Sequence, residues 1–398
     1  MTEDGSAPLA GLRVLEISAY VQGPVAGLIL ASLGADVVKV EQVGRSDVMR
    51  NLASMHGVEF DERGKQWVYS TLNRGKRSVA LDITSTRGKE LLRSLIGESD
   101  VFVTNLRAGE LTKLGVNYEV VHELNPSLVY GQGGGFGFAG DMAGNACQDT
   151  SAMAYAGFMD TTSPNDEPNY PSGALGDVLS GSNLAAAILA GLARRGITGT
   201  GSLARTSQLQ SLLWLQLLPV GMAASLGQRM EKFSRSESNP LYSVHQTRDG
   251  WISVAAINQR HWDNLAEVLG RSDLLEDERF TKILSAEQHS RELFDELAPV
   301  IRTRTTSEWW HVFREAGVWS APVNRIEDIP DDVQVRANDF VVDFPDGFTG
   351  VPLPFHVDGW HDPGTVAAEY GQHTDAVLTE LGLTPEEIME LRVDGTVW

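Results

Sequence analysis

Three stretches near the start decide the fold class: Arg13-Val-Leu-Glu-Ile17, Val21-Gln-Gly-Pro-Val-Ala-Gly27 and Ala35-Asp-Val-Val-Lys-Val-Glu41. The first and last are short apolar runs that read as strands. Between them Val25–Leu33, rich in small residues, reads as a helix. The alternation continues outward. Ser78–Leu81 is extended, Arg87–Leu95 helical, Val101–Thr104 a buried strand, and Leu128–Tyr130 another. Strands alternating with helices imply parallel crossovers of right-handed sense, and so a doubly wound α/β sheet. The opening imitates a dinucleotide-binding unit, with an acid at Glu41. However, the turn lacks G-x-G-x-x-G, and Pro24 removes a backbone donor. The plain reading of that turn is a helix start with proline in its first turn.

Farther along, a long helix spans about Val178–Arg195 and stops at Gly196. A strongly apolar helix covers about Gln208–Leu226. Lys232–Asn239 is polar and reads as a linker. A strand at Trp251–Ala256 and charged helices at His261–Leu269 and Ser290–Arg302 follow. Residues 230–322 therefore read as a smaller domain, set between a first part at 1–229 and a C-terminal part at 323–398. The last part is loop-rich, with six prolines from Pro330 to Pro385, and ends in helical stretches at Thr374–Leu381 and Pro385–Leu391.

A length of 398 residues suits two domains, and 42% hydrophobic with 21% charged residues is a globular composition. The net charge of −21 argues against a nucleic-acid surface, and any anionic ligand must meet a local basic cluster. One cysteine, Cys147, permits no intrachain disulfide and fits a reducing compartment. Met1–Pro8 lacks the basic and apolar segments of a signal peptide, so a cytoplasmic location is expected. Leu184–Leu192 and Leu212–Met222 read as too short or too interrupted for membrane spans. The nine histidines lack ligand spacing, and no metal is expected.

Several residues carry potential chemistry. Asn73-Arg-Gly-Lys-Arg77 is the densest basic run, able to meet a phosphate cluster or to form a solvated turn. Arg107 and Lys113 follow the strand at Val101, where open parallel sheets bind ligands. Gly133-Gly-Gly-Phe-Gly137 can offer backbone N–H groups to an oxyanion, or be a surface loop. Asp177 precedes the long helix and by itself reads as an N-cap. Its neighbours Gly173, Ala174, Gly176, Ser180 and Gly181 nevertheless leave room for a bulky ligand. Asp149 is a second acid, able to act as base or cap. Trp67, Tyr69, Met153, Tyr155 and Phe158 are candidate acyl-lining or core residues.

Taken together, these pieces resemble the class III CoA-transferase (CaiB–BaiF) family over nearly the whole chain. The matching segments run from Pro8–Glu16 and Gly34–Glu41 through Leu72-Asn-Arg-Gly-Lys-Arg-Ser-Val-Ala-Leu-Asp82 and Asn125–Tyr130 with Gly135-Phe-Gly137. They continue through Gly173-Ala-Leu-Gly-Asp-Val-Leu-Ser-Gly181 to Ala321-Pro-Val323 and Gly371-Gln-His-Thr-Asp375. The resemblance implies a large Rossmann-like domain built from both chain ends, a smaller inserted α+β domain, and an interlocked homodimer with coenzyme A at the subunit interface. Asp177 falls on the catalytic aspartate. Leu72, Asn73, Arg74, Lys76 and Arg77, with Asn105, Leu106 and Arg107, fall on segments lining the CoA groove. Lys113 stands where relatives often carry arginine.

The implied reaction is acyl-CoA:carboxylate CoA transfer. Asp177 attacks the thioester carbonyl, giving a mixed anhydride and CoA thiolate. The thiolate then forms an aspartyl-CoA thioester, and an acceptor acid reverses the sequence. No ATP or metal is required. Gly134 and Gly135 would donate to the oxyanion. The alternative on this fold is an acyl-CoA racemase or isomerase, but its His-Asp pair reads Gln148-Asp149 here, which removes one acid/base group. A CoA-binding protein without catalysis is the third possibility. Gly199-Thr-Gly-Ser-Leu-Ala-Arg205 resembles the family's tight turn, with Ala204 or Arg205 where an acid is usual.

Overall fold

Continuous apolar runs bounded by turns form the centre of a six-stranded sheet. In the computed structural model the strands are β1 (Arg13–Ile17), β2 (Asp36–Glu41), β3 (Arg77–Ala80), β4 (Val101–Thr104), β5 (Val129–Gly134) and β6 (Ser202–Ser207). All neighbours pair in parallel, in the order β3-β2-β1-β4-β5-β6. This is the doubly wound dinucleotide-fold order, with the strand direction of winding reversing between β1 and β4. The described residues are 7–398 except 56, 164–166, 172, 229–235 and 237. Of the expected linker Lys232–Asn239, residues 232–235 and 237 lie outside them, as do most of Met1–Pro8 and Ser172.

The connections are helices: α1 (Gln22–Ser32), α2 (Glu62–Asn73), α3 (Thr86–Gly97), α4 (Ala108–Leu114), α5 (Tyr118–Leu124), α6 (Asp149–Tyr155) and α7 (Leu175–Thr198). One face of the sheet packs on α1 and α7 through Val25, Ala26, Ile29, Leu184, Ala185 and Ile188. The other carries α3 and the C-terminal helices Thr374–Glu380 and Pro385–Val393, through Leu92, Ile96, Val377, Leu378 and Leu391. Helix α7 has 24 residues and is long and apolar enough to cross a membrane. Here Leu184, Ala185, Ile188 and Gly191 of its length are buried within the unit.

The structure differs from the sequence reading in two places. The stretch that resembles a tight turn, Gly199–Arg205, runs into the sixth strand, β6, where Ser-Leu-Ala-Arg-Thr-Ser shows no apolar run. The apolar helix at 208–226 is two helices, α8 (Gln208–Leu215) and α9 (Leu217–Leu226), bent by 79°. Gln216, at the break, is buried and donates to the carbonyls of Ala156 and Leu212.

The chain forms two compact units. One comprises 1–159, 170–226 and 333–398, and the other 160–169 and 227–332. The second has a three-stranded antiparallel sheet, with Trp251–Ala255 between Tyr242–Gln246 and Trp319–Pro322. Its core holds Trp262, Phe280, Leu297, Trp309 and Phe313. Both tryptophan N–H groups are satisfied, Trp262 by the Phe280 carbonyl and Trp309 by that of Ile301, each at 2.7 Å.

Candidate active site

The site is assembled where α1, β5, α6, α7 and α8 meet. Helix α7 lies so close to α1 that a Cβ on Gly181 would stand 2.6 Å from the Gln22 carbonyl oxygen and 2.7 Å from Val25 Cβ. Glycine is therefore required there. Gln22, at the start of α1, donates through Nε2 to the Gly134 carbonyl (3.0 Å) and to Ser180 Oγ (2.9 Å). One side chain thereby ties the end of β5 to the first turns of α7.

Asp177 is not the N-cap expected from its position. The cap residue is Ala174, held at φ 52°, and Asp177 sits in the first turn. The capping carboxylate comes from Asp149 on α6. Its Oδ1 accepts from the backbone N–H of Gly176 at 2.6 Å and of Asp177 at 3.1 Å. Its Oδ2 accepts from the Tyr170 hydroxyl at 3.0 Å. Exposed helix N–H groups favour an anion here, so two buried acids can share this end.

Asp177 is only 8% exposed. Its Oδ1 accepts a short hydrogen bond from Gln208 Nε2, at the start of α8. Burial, followed by the Asp149 charge, pushes its pKa up to about 6, against the opposing effect of Gln208. Cys147 donates its S–H to Gln208 Oε1 at 3.2 Å. Burial and the two aspartates push the Cys147 thiol up to about 11, so it stays protonated. Gly135 packs against this thiol. A Cβ there would lie 2.1 Å from Cys147 Cβ, and the Gly135 carbonyl accepts from Leu209 N–H at 3.0 Å. Gly134, the last residue of β5, would with a Cβ meet the Phe138 ring at 3.0 Å.

The basic run is distributed differently from the acids. Lys76 is buried, donates to the Pro24 carbonyl (2.8 Å) and Asn73 Oδ1 (3.0 Å), and forms an ion pair with Glu16 Oε2 (2.8 Å). Burial lowers its pKa to about 8 despite Glu16. Asn73 Nδ2 donates to the Tyr69 carbonyl, and Leu72 joins the core. Arg74 stacks 3.8 Å from the Phe344 ring centroid and donates to the Val351 carbonyl. Arg77 pairs with Asp36 and Glu380. Asn105 fixes the loop after β1, accepting from Ala19 N–H and donating to its carbonyl. Leu106 is half-buried. Arg107 is exposed and pairs with Glu110, and Lys113 is exposed in α4. Among the candidate lining residues, Met153 is in a small core with Ala152, Ala156 and Leu212, with Phe158 packed on it. Tyr69 is buried and Trp67 half-buried, whereas Tyr155 is exposed. A surface cavity of about 600 Å³ lined by Arg50, Lys65, Tyr69, Phe348 and Tyr370 does not include Asp177. Among the described residues no group of three metal-ligating side chains converges.

Gln208 and Gln22 were not singled out by sequence reasoning. For Gln208 the available signal was an amide directly after the cap Ser207, at the start of a largely apolar helix.

A doubly wound parallel sheet with a buried aspartate in the first turn of a glycine-lined helix defines an α/β protein with a candidate carboxylate site. The sequence pattern of CoA-transferase family III matches residues 9–374. The chain belongs to that family, and its activity is that of a CoA-transferase. It is 31% identical to an acyl-CoA transferase of Fusarium pseudograminearum, over 98% of this chain and 88% of the relative. It is 28% identical to (R)-2-hydroxy-4-methylpentanoate CoA-transferase of Clostridioides difficile, over 96% and 97%. The crystal structure of a CaiB/BaiF family protein from Brucella suis superposes with a TM-score of 0.84 at 28% identity, covering 94% of this chain and 99% of that one.

Proposed function

We propose that this chain transfers CoA between an acyl-CoA donor and a carboxylic-acid acceptor, through a mixed anhydride and then a thioester on Asp177. The observation that carries the reading is the state of that one carboxylate. It is buried, held by one oxygen, and faced by another acid, with no pairing cation among the described residues. A buried carboxylate with no counter-ion is poorly stabilised and correspondingly nucleophilic once ionised. Relatives named for CoA transfer to hydroxy-acid and dicarboxylic acids support the class of exchange. The racemase alternative is disfavoured because Gln148 cannot carry a proton and Asp149 is occupied in capping α7.

The functional form we propose is a homodimer. Trp214, Leu215, Leu217 and Leu218 on α8 and α9 are half or more exposed, and such an apolar face suits a second copy. CoA would be held by its phosphates at basic residues such as the exposed Arg107 and Lys113. A free thiol as the single cysteine accords with a cytoplasmic, reducing location. In an exchange assay with a panel of acyl-CoAs and free acids, Asp177→Ala is expected to abolish turnover while CoA binding stays measurable by calorimetry. Undiminished turnover in that variant overturns the reading.

A further inference from the structure

We propose that Gln208 is a positioning residue for Asp177, and that the Cys147 thiol fixes which end of the Gln208 amide faces it. This rests on the transferase reading above. The argument begins with which groups can donate. An ionised carboxylate only accepts hydrogen bonds, so the NH2 of Gln208 must face Asp177 Oδ1. Oε1 then points away and needs a donor. Cys147, 3.2 Å distant, is that donor. Its thiol keeps its proton across the working range because burial and the nearby acids oppose ionisation. The sequence thiol, amide, carboxylate therefore runs in one direction only.

The surroundings hold this arrangement in place. Gln208 is 5% exposed, and its helix start is fixed by Ser207 Oγ, which accepts from Gln210 N–H, and by Leu209 N–H donating to Gly135. Gly135 lacks the Cβ that would displace Cys147. With Oδ1 held by Gln208, the second oxygen of Asp177 accepts no hydrogen bond among the described residues and is the one left to attack. The groups facing the carboxyl are Asp149 on α6 with its partner Tyr170, the Cys147 thiol, and Gln208 on α8. Only Gln208 favours the ionised form among the side chains. Removing its donor raises the pKa of Asp177, so the ionised fraction at a given pH falls.

The test is the pH dependence of kcat/KM for thioester exchange in the full chain. Gln208→Met keeps the side-chain length and removes the amide. It should move the acid limb upward by roughly one pH unit and so lower kcat/KM by about 5-fold near pH 6, approaching about 10-fold at lower pH. Cys147→Ala should move the limb the same way by less, and Cys147→Ser, which restores a donor, should recover most of that change. These cysteine variants keep the inference testable if Gln208→Met does not fold. An acid limb unmoved in both Gln208→Met and Cys147→Ala overturns it, even if activity falls, because a packing role lowers rate without shifting ionisation. Asp177→Ala run alongside separates the two readings: turnover surviving there defeats the transferase mechanism itself, whereas its loss with unmoved limbs defeats only the role of Gln208.

Discussion

Two groups of buried acids in the same unit have opposite surroundings. Under the sheet, Glu16 and Lys39 sit opposite each other on β1 and β2, both fully buried, at 2.9 Å. Lys39 also reaches Asp47 at 3.0 Å, and Lys76 reaches Glu16 at 2.8 Å. Burial alone would raise the Glu16 pKa, but Lys39 and Lys76 hold it below the ordinary value. Beside them, Arg50 and Lys39 hold Glu41 down at about 2 against the same burial effect. At the start of α7 the acids Asp149 and Asp177 have backbone N–H, hydroxyl and amide partners but no cation among the described residues, and Asp177 is pushed up instead. Compensated charge locks a sheet together. Uncompensated charge leaves a carboxylate that takes up a proton more readily than usual.

The comparison predicts that damage will fall on different observables. The largest stability effect belongs to the compensated group. Lys39→Met leaves Glu16 and Asp47 without their shared partner, and should cost about 3–5 kcal/mol in chemical denaturation. A loss under about 1 kcal/mol would mean that the cluster is not the lock described here. A smaller effect, on ionisation and not on folding, is expected from Asp149→Asn. The amide oxygen can still cap α7, but the like charge is gone. The acid limb of activity, which should lie near pH 6 in the natural chain, should then move to lower pH, opposite to the shift expected on removing the Gln208 amide. An upward shift would show that the cap, not the charge, governs Asp177.

Much of the first sheet was legible because its strands are apolar on both faces. Val101–Thr104 is recoverable to the residue, since all four positions are buried. Ser202–Ser207 was not. It is an edge strand in which Arg205 is exposed, so the sequence shows no continuous apolar signal. The break at Gln216 has a local signal in Pro219, whose missing N–H cannot extend the helix, but the seating of Gln216 on a carbonyl at Ala156, 60 residues away, has none. The site divides the same way. Asp177 stood out by its small neighbours, a local feature. The cap from Asp149 and the bond from Gln208 join residues 28 and 31 positions apart, and only the folded chain brings them together. Lys76 shows the converse. Its basic neighbourhood suggested a phosphate contact, whereas the fold engages its ammonium internally with two hydrogen bonds and an ion pair.

The most direct test of the central claim is to trap the acyl-enzyme. The chain would be mixed with an acyl-CoA, quenched with hydroxylamine or borohydride, digested, and mapped by mass spectrometry. The account predicts modification of the peptide at residue 177, absent when acyl-CoA is omitted and absent in Asp177→Ala. Turnover of that acyl-CoA with no adduct at this residue, or an adduct that persists in the alanine variant, would contradict it.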